Sequence, residues 1–318
     1  MKEFAIGIDI GGTSTKFGVV DMNGHILTQD RISTNKHEEV DEFMEDLYDK
    51  LQPMIDAVGG KEKFVGIGMG APNGNFYTGT IEYAPNLKWK GIIPIADLMY
   101  KKFGIHTRLT NDANAAAMGE YQFGCTKNIK HFITITLGTG VGSGIIIDGK
   151  ILLGHDGFAG ELGHTIIRPG GRLHNGTGMK GSLESYASAT GVRDTAIELL
   201  MHYPEKESLL RDFSLNDLTS ENVYDCALRG DAVANEIFEF TGQILGEALA
   251  NFVMFSSPEA IVLFGGLTKA GNLLLNPTRK HMEANLLPIF QNKVKLLFSE
   301  LKEADAAILG ASSLVINE

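Results

Sequence analysis

The sequence predicts an α/β protein of two domains built on a duplicated unit. Phe4 to Asp21 reads as two apolar strands folded about a turn rich in glycine and threonine. Phe132 to Leu152 repeats that plan about Gly138-Thr139-Gly140, with Asp148 opposite Asp21 and Ile151-Leu152 opposite Ile26-Leu27. Amphipathic helical segments alternate with short apolar runs elsewhere, and 318 residues are enough for about two domains with cores of their own.

The first turn has the composition of a phosphate cradle. Gly11 and Gly12 let backbone N–H groups approach an anion, Thr13, Ser14 and Thr15 add hydroxyl donors, and Lys16 adds a positive charge. Asp9 at its mouth would repel phosphate unless a cation lay between, so it is read as an Mg²⁺ site, directly or through water. Taken by itself the stretch is equally an ordinary hairpin with a glycine-rich bend. The second copy favours the phosphate reading, and Thr136 falls where Asp9 would, which implies a single cation site.

Val40 to Val58 places Val40, Phe43, Met44, Leu47, Leu51 and Ile55 near helical spacing, and Gly59-Gly60 ends that helix. Phe64 to Gly70 reads as a buried strand whose glycines imply close backbone approach. Tyr83 to Trp89 reads as a polar loop carrying the one tryptophan, with Asn86 either a turn residue or a ligand contact. Thr107 to Thr110 is a short strand feeding a helix whose start is crowded by Asn111, Asp112 and Asn114. One of these must cap the helix, but one cap does not need all three. A carboxylate fixed where a strand meets a helix suits a group that accepts one proton from one hydroxyl.

Gly154 to Glu184 reads as a long loop system, a type that is usually functional when ordered. Its histidines, His155, His164 and His174, are spaced too widely for a metal motif, and hydrogen bonding is the better role for His164. Asp231 to Phe255 is a long periodic helix. The strand Ala260 to Phe264 then ends in Gly265-Gly266, a third glycine turn, at the strand end where α/β sheets bind ligands. Asp305 to Ile316 closes the chain as a helix whose alanines and glycine favour tight packing on a sheet.

A net charge of -11 argues against a nucleic-acid partner. Cys125 and Cys226 alone make neither a disulfide framework nor a cysteine zinc site, which fits a reducing compartment. No signal peptide precedes the first strand and no apolar run reaches the ~18 residues of a membrane span, so a cytoplasmic protein without membrane contact is expected.

Together, Asp9-Ile10-Gly11-Gly12-Thr13, Asn111-Asp112-Ala113-Asn114, Gly138-Thr139-Gly140, Glu161-Leu162-Gly163-His164 and Gly265-Gly266 resemble, in this order, the motifs of the ROK family of sugar kinases. The resemblance runs nearly the full length. It implies the actin-like, ribonuclease-H-like duplicated fold, two α/β domains about a central cleft, with residues 1–115 plus 303–318 in the first and 116–302 in the second. It also implies ATP held on the glycine turns by Gly11, Gly12, Thr13, Lys16, Gly138, Thr139, Gly140, Gly265 and Gly266, with Mg²⁺ at Asp9. Asp112 would be the base, and Asn86, Asn111, Glu161, His164 and Glu184 would hydrogen-bond a hexose. A homodimer or homotetramer follows from the same resemblance.

The sequence departs from the family's pattern where a zinc motif, Cys-x-Cys-Gly-x-x-Gly-Cys, usually precedes the glutamate. Asn175, Thr177 and Ser182 stand at the cysteine positions, so no zinc is expected and a hydrogen-bond network of these side chains is expected to hold the loop. The resulting expectation is an ATP-dependent hexose kinase of the glucokinase type acting at the C6 hydroxyl. An N-acetylmannosamine or N-acetylglucosamine kinase is the alternative among enzymes, and a non-catalytic sugar sensor or regulator the alternative of another class. Retention of Asp9 and Asp112 speaks against a sensor, which needs neither.

Overall fold

The computed structural model describes residues 2–316. Met1, Asn317 and Glu318, which the expected first domain includes, lie outside them. In chain order the first half comprises β1 (Phe4–Ile10), β2 (Ser14–Asp21), β3 (Ile26–Ser33), α1 (Val40–Ala57), β4 (Phe64–Gly70), β5 (Ile81–Glu82), β6 (Ile92–Ile93), α2 (Ile95–Phe103), β7 (Thr107–Thr110) and α3 (Asp112–Phe123). It continues with β8 (Phe132–Leu137), β9 (Val141–Ile147), β10 (Lys150–Ile151), α4 (Glu184–Ala187), α5 (Ala189–His202), α6 (Ser220–Leu228), α7 (Ala232–Ser256), β11 (Ala260–Phe264), α8 (Asn272–Ala284), β12 (Lys295–Phe298) and α9 (Glu303–Ile316).

The duplication is real at the level of topology. One five-stranded sheet has the order β3-β2-β1-β4-β7 and the other β10-β9-β8-β11-β12, the same path traced twice. This is the actin-like, ribonuclease-H-like arrangement. One compact unit gathers the residues up to Thr134, Gly144–Gly160 and the segment from Ser299 onward, while the other gathers Ile135–Ser143 and Glu161–Phe298. Among the described residues no helix is long and apolar enough to cross a membrane.

Strand alternation decides what each face of the first sheet can do. Ile6, Ile8 and Ile10 of β1 and Ile67 and Met69 of β4 point one way, into a core with Phe43, Leu47, Leu51 and Ile55 of α1 and Met99 of α2. The residues between them, Gly7 and Asp9 on β1 and Gly66, Gly68 and Gly70 on β4, point the other way. There α9 lies directly on the strands: a Cβ at Gly7 would come 2.0 Å from the Ile308 carbonyl oxygen, and one at Gly68 would come 1.9 Å from that of Ala311. The alanines and glycine of the closing helix pack on a sheet as expected. Gly68→Ala is therefore predicted to lower stability by roughly 1–3 kcal/mol or more, since backbone on both sides must move. A chemical denaturation midpoint unchanged from wild type would show that α9 yields freely.

The loop carrying Trp89 is less polar than its sequence implies. Ala84, Leu87 and Trp89 are buried, and the Trp89 and Phe43 ring centroids lie 4.6 Å apart. The indole anchors the segment to the core and leaves Pro85 and Asn86 exposed between buried Ala84 and Leu87. The small β5-β6 ladder leading into this loop has no counterpart in the sequence reading, because two-residue strands carry no periodicity.

Candidate active site

In the first unit the candidate residues meet at one edge of the sheet. β1, β4 and β7 run parallel, and the registers Asp9↔Gly70 and Gly70↔Thr110 set three strand ends side by side. Asn111 and Asp112, which follow β7 directly, are thereby brought next to Asp9. Gly70 sits among them: a Cβ there would press on Ala115 Cβ at 3.2 Å, with the Asp112 Cα at 3.5 Å and Asp9 Oδ1 at 3.8 Å at ordinary contact distance. Its role was not legible in the sequence beyond a general sign of close backbone contact.

The polar crowd at the start of α3 separates into three jobs. Asn111 is the N-cap, its Oδ1 accepting the Asn114 N–H at 2.7 Å, so the side-chain amide is what it can offer a ligand. Asn114 is buried, and its Nδ2 donates to Thr110 Oγ1 at 3.3 Å, a structural role. Asp112 holds only the adjacent Ala113 N–H, at 2.8 Å, and stays exposed to solvent. It is the one carboxylate of the three side chains that helix formation leaves for chemistry.

Both acids are held above the ordinary carboxylate range. Burial is the main cause for Asp9, the nearby Asp112 charge adds to it and Lys16 opposes it, leaving Asp9 pushed up to about 6. For Asp112 the cause is desolvation by the protein packed around it, opposed by the hydrogen bond from Ala113. Solvent can reach this carboxyl, but too little water surrounds it to stabilise the charge fully. A base so placed is better matched to neutral pH than a free carboxylate.

The glycine turn before β2 is narrower in function than its composition implies. Thr15 is buried, with its hydroxyl 2.8 Å from Thr34 Oγ1, so it serves the core and not an anion. The Gly11 N–H closes the turn onto the Ser14 carbonyl at 3.1 Å, which leaves the N–H groups of Gly12 and Thr13 as the ones this turn could offer an anion. A Cβ at Gly12 would come 2.7 Å from the Asn86 carbonyl oxygen, which places the Asn86 loop against this turn. Lys16 pairs in register with Asp9 across the hairpin and lends it a favourable charge.

In the second unit the remaining candidates cluster around the turn between β8 and β9. The Gly138 N–H donates to the Gly140 carbonyl at 3.0 Å, and the Gly138 and Thr139 carbonyls accept from the Ala189 N–H and the Thr190 hydroxyl at the start of α5. Thr136, at the position equivalent to Asp9, accepts the Gly142 N–H at 3.1 Å, a hairpin role rather than a cation site. Gly265 lies against the end of β8, where a Cβ would come 2.6 Å from the Leu137 carbonyl oxygen, and Gly266 has open space before it. The second and third glycine turns are thus adjacent.

Glu161, His164 and Glu184 join the same cluster through Val141. A single 3₁₀ turn, Leu162–His164, brings Glu161 Oε2 and His164 Nε2 to 3.8 Å. Gly163 fits beneath it because a Cβ would meet the Val141 carbonyl oxygen at 1.9 Å, a reason for that glycine that the sequence did not disclose. Glu184 Oε2 accepts the Val141 N–H at 2.7 Å. His164 Nδ1 is buried and, among the described residues, without a hydrogen-bond partner.

The segment from Thr165 to Leu183 is ordered by its own ladder. The N–H groups of Ile167 and Arg168 donate to the Gly181 carbonyl at 2.8 and 3.0 Å, that of Gly181 to the Arg172 carbonyl at 2.8 Å, and that of His174 to the Met179 carbonyl at 2.8 Å. Thr177 Oγ1 lies 2.9 Å from His174 Nδ1 and accepts the Met179 N–H at 3.3 Å, while Ser182 and Ser185 hydroxyls meet at 2.9 Å. Of the three residues at the family's cysteine positions, Thr177 therefore hydrogen-bonds within the segment and Ser182 ties it to Ser185 of α4. Asn175, the third, is exposed.

The residues of the first unit suit Mg²⁺. Asp9 is a hard oxygen ligand whose raised pKa records the cost of an uncompensated charge, a cost that a cation removes. Among the described residues no three His, Cys, Asp or Glu groups are arranged around a metal. Mg²⁺ is commonly held by one or two carboxylates together with substrate phosphates, so the acid at this turn is a sufficient protein ligand for it. When bound, such an ion offsets charge on those phosphates.

Known proteins carry the same architecture. The glucokinase of Halalkalibacterium halodurans is 35% identical over 98% of this chain and 94% of its own length. That of Thermotoga maritima is 32% identical over 98% and 96%. A ROK glucokinase from Streptomyces griseus, solved with glucose and AMPPNP, superposes with a TM-score of 0.81 at 31% identity, covering 99% of this chain and all of its own. The sequence model of the ROK family matches residues 5–318, and on this agreement of motif, fold and relatives the chain belongs to the ROK family, as a sugar kinase.

Proposed function

We propose that this kinase transfers the γ-phosphoryl group of ATP to the C6 hydroxyl of a hexose, with glucose as the acceptor. The observation that carries the reading is the pair Asp9 and Asp112 at the strand ends. One carboxylate is suited to a cation beside a glycine turn. The other is exposed, raised in pKa and left unused by the helix it begins. Asp112 accepts the hydroxyl proton as the oxygen attacks phosphorus, and Gly12, Thr13 and Lys16 receive the nucleotide's phosphates. Gly138–Gly140 and Gly265-Gly266 are assigned to the nucleotide as well. Asn86, Asn111, Glu161, His164 and Glu184 are assigned to the other sugar hydroxyls. The glucose-bound relative and the two glucokinases support glucose as the acceptor.

A coupled ADP-release assay over glucose, mannose, N-acetylmannosamine and N-acetylglucosamine tests the choice of sugar. Glucose is expected to give the highest kcat/KM, by about tenfold or more, because a site that pairs buried polar groups with specific hydroxyls rejects partners that leave them unmatched. A higher kcat/KM for either N-acetylhexosamine would overturn it.

A further inference from the structure

Glu184 begins α4, a helix of one turn, and so stands on a short element. The last torsion of a glutamate side chain is broad and roughly two-fold, so backbone position alone does not fix the plane of its carboxylate. Two donors fix it here. The Val141 N–H holds Oε2 at 2.7 Å, and His174 Nε2 lies 3.0 Å from Oε1. On the other side of the ring, His174 Nδ1 is 2.9 Å from the Thr177 hydroxyl. Gly176 leaves room for the ring, since a Cβ there would come 3.1 Å from His174 Cε1.

Proton bookkeeping settles the direction of these bonds. An ionised carboxylate only accepts, so His174 Nε2 must carry hydrogen. Thr177 Oγ1 already accepts from the Met179 N–H and retains one donor and one acceptor position. It donates to Nδ1 of a neutral ring or accepts from a protonated one, so the contact to Glu184 survives either state. A carboxylate has about four acceptor positions, and two are occupied by Val141 and His174. The other two are left for hydroxyl donors.

We propose that His174 is a positioning residue for sugar binding, oriented by Thr177, which fixes the Glu184 carboxylate plane so that its remaining acceptor positions meet two hydroxyls of the hexose. The inference rests on the assignment of Glu184 to the sugar. It gives the segment that lacks the family's cysteines a means of aiming that glutamate with its own side chains.

Paired substitutions separate positioning from loop structure. Asparagine places its amide near the imidazole Nδ1 and loses Glu184, whereas glutamine places it near Nε2 and keeps Glu184. His174→Asn and His174→Ala are expected to raise the hexose KM about tenfold or more, as for the loss of a hydrogen bond to a charged group. KM for ATP and kcat should stay within about threefold. His174→Gln should return the hexose KM to within about threefold of wild type. Thr177→Val, which keeps the imidazole, should raise it about threefold, and serves where His174→Asn fails to fold. Equal sugar KM values in the Asn and Gln variants, or a Thr177→Val enzyme indistinguishable from wild type, would overturn the proposal. Glu184→Gln is the control for the underlying assignment. If it leaves the hexose KM unchanged, Glu184 is not a sugar ligand and both readings fall, whereas a raised KM there with a normal one in His174→Asn removes the positioning role alone.

Discussion

Asp112→Asn is expected to lower kcat by ~10²–10⁴, the usual contribution of a positioned general base, while leaving the hexose KM within about tenfold. The substitution keeps the local fold. Asn111 supplies the N-cap, and an asparagine at 112 keeps an oxygen to accept the Ala113 N–H that Asp112 holds at 2.8 Å. What it cannot do is take a proton. The pH profile gives a second readout. Desolvation raises the Asp112 pKa above the ordinary value, so the base is present above that raised pKa and is lost as pH falls through it. The acid limb of the wild-type profile should therefore lie above the ordinary carboxylate range, and the residual activity of the variant should lack that limb. Turnover within threefold of wild type would reduce Asp112 to a helix-start residue or a sugar contact.

The parts of this arrangement legible in sequence are those written in periodicity or in glycine. The two hairpins, α1, β7, α7 and the closing helix were all readable because apolar spacing names an element and a glycine pair names its end. The surplus of Asn111, Asp112 and Asn114 was readable as more than one helix cap needs, but the division of labour among them was not. Which one caps depends on where the helix begins to within one residue. The Thr15 hydroxyl shows the converse. Three hydroxyl residues in a glycine turn look alike in sequence, and strand alternation turns this one into the core, against Thr34. Contacts between distant segments left the weakest trace. Gly70 beside Asp112, Gly163 against Val141 and His174 on Glu184 are set by strand register and loop path, and no local pattern encodes them.

Asp9→Asn is expected to make the cation-free protein more stable while depriving it of activity. A carboxylate whose pKa is raised on folding binds its proton more readily in the native state than in the unfolded chain. Between the unfolded value near 3.8 and the folded value of about 6, stability therefore falls as pH rises. Above about 6 the full cost is present, on the order of 1–3 kcal/mol for a shift of this size. Below about 4 both states are protonated and the cost is gone. Asparagine removes the charge, its burial and its repulsion with Asp112 together, so in chelator at pH 7.5 the variant should melt several degrees above wild type, with the two curves converging near pH 4. Added Mg²⁺ with nucleotide should narrow the gap at pH 7.5, because the ion compensates the wild-type carboxylate and finds a poorer ligand in the amide. Activity should fall by ~10²-fold or more, the scale of electrostatic stabilisation lost when a group facing transferred charge is removed. A variant that melts below wild type at pH 7.5 would mean that Asp9 is satisfied within the protein by Lys16, and that its place beside the glycine turn is structural rather than a cation site.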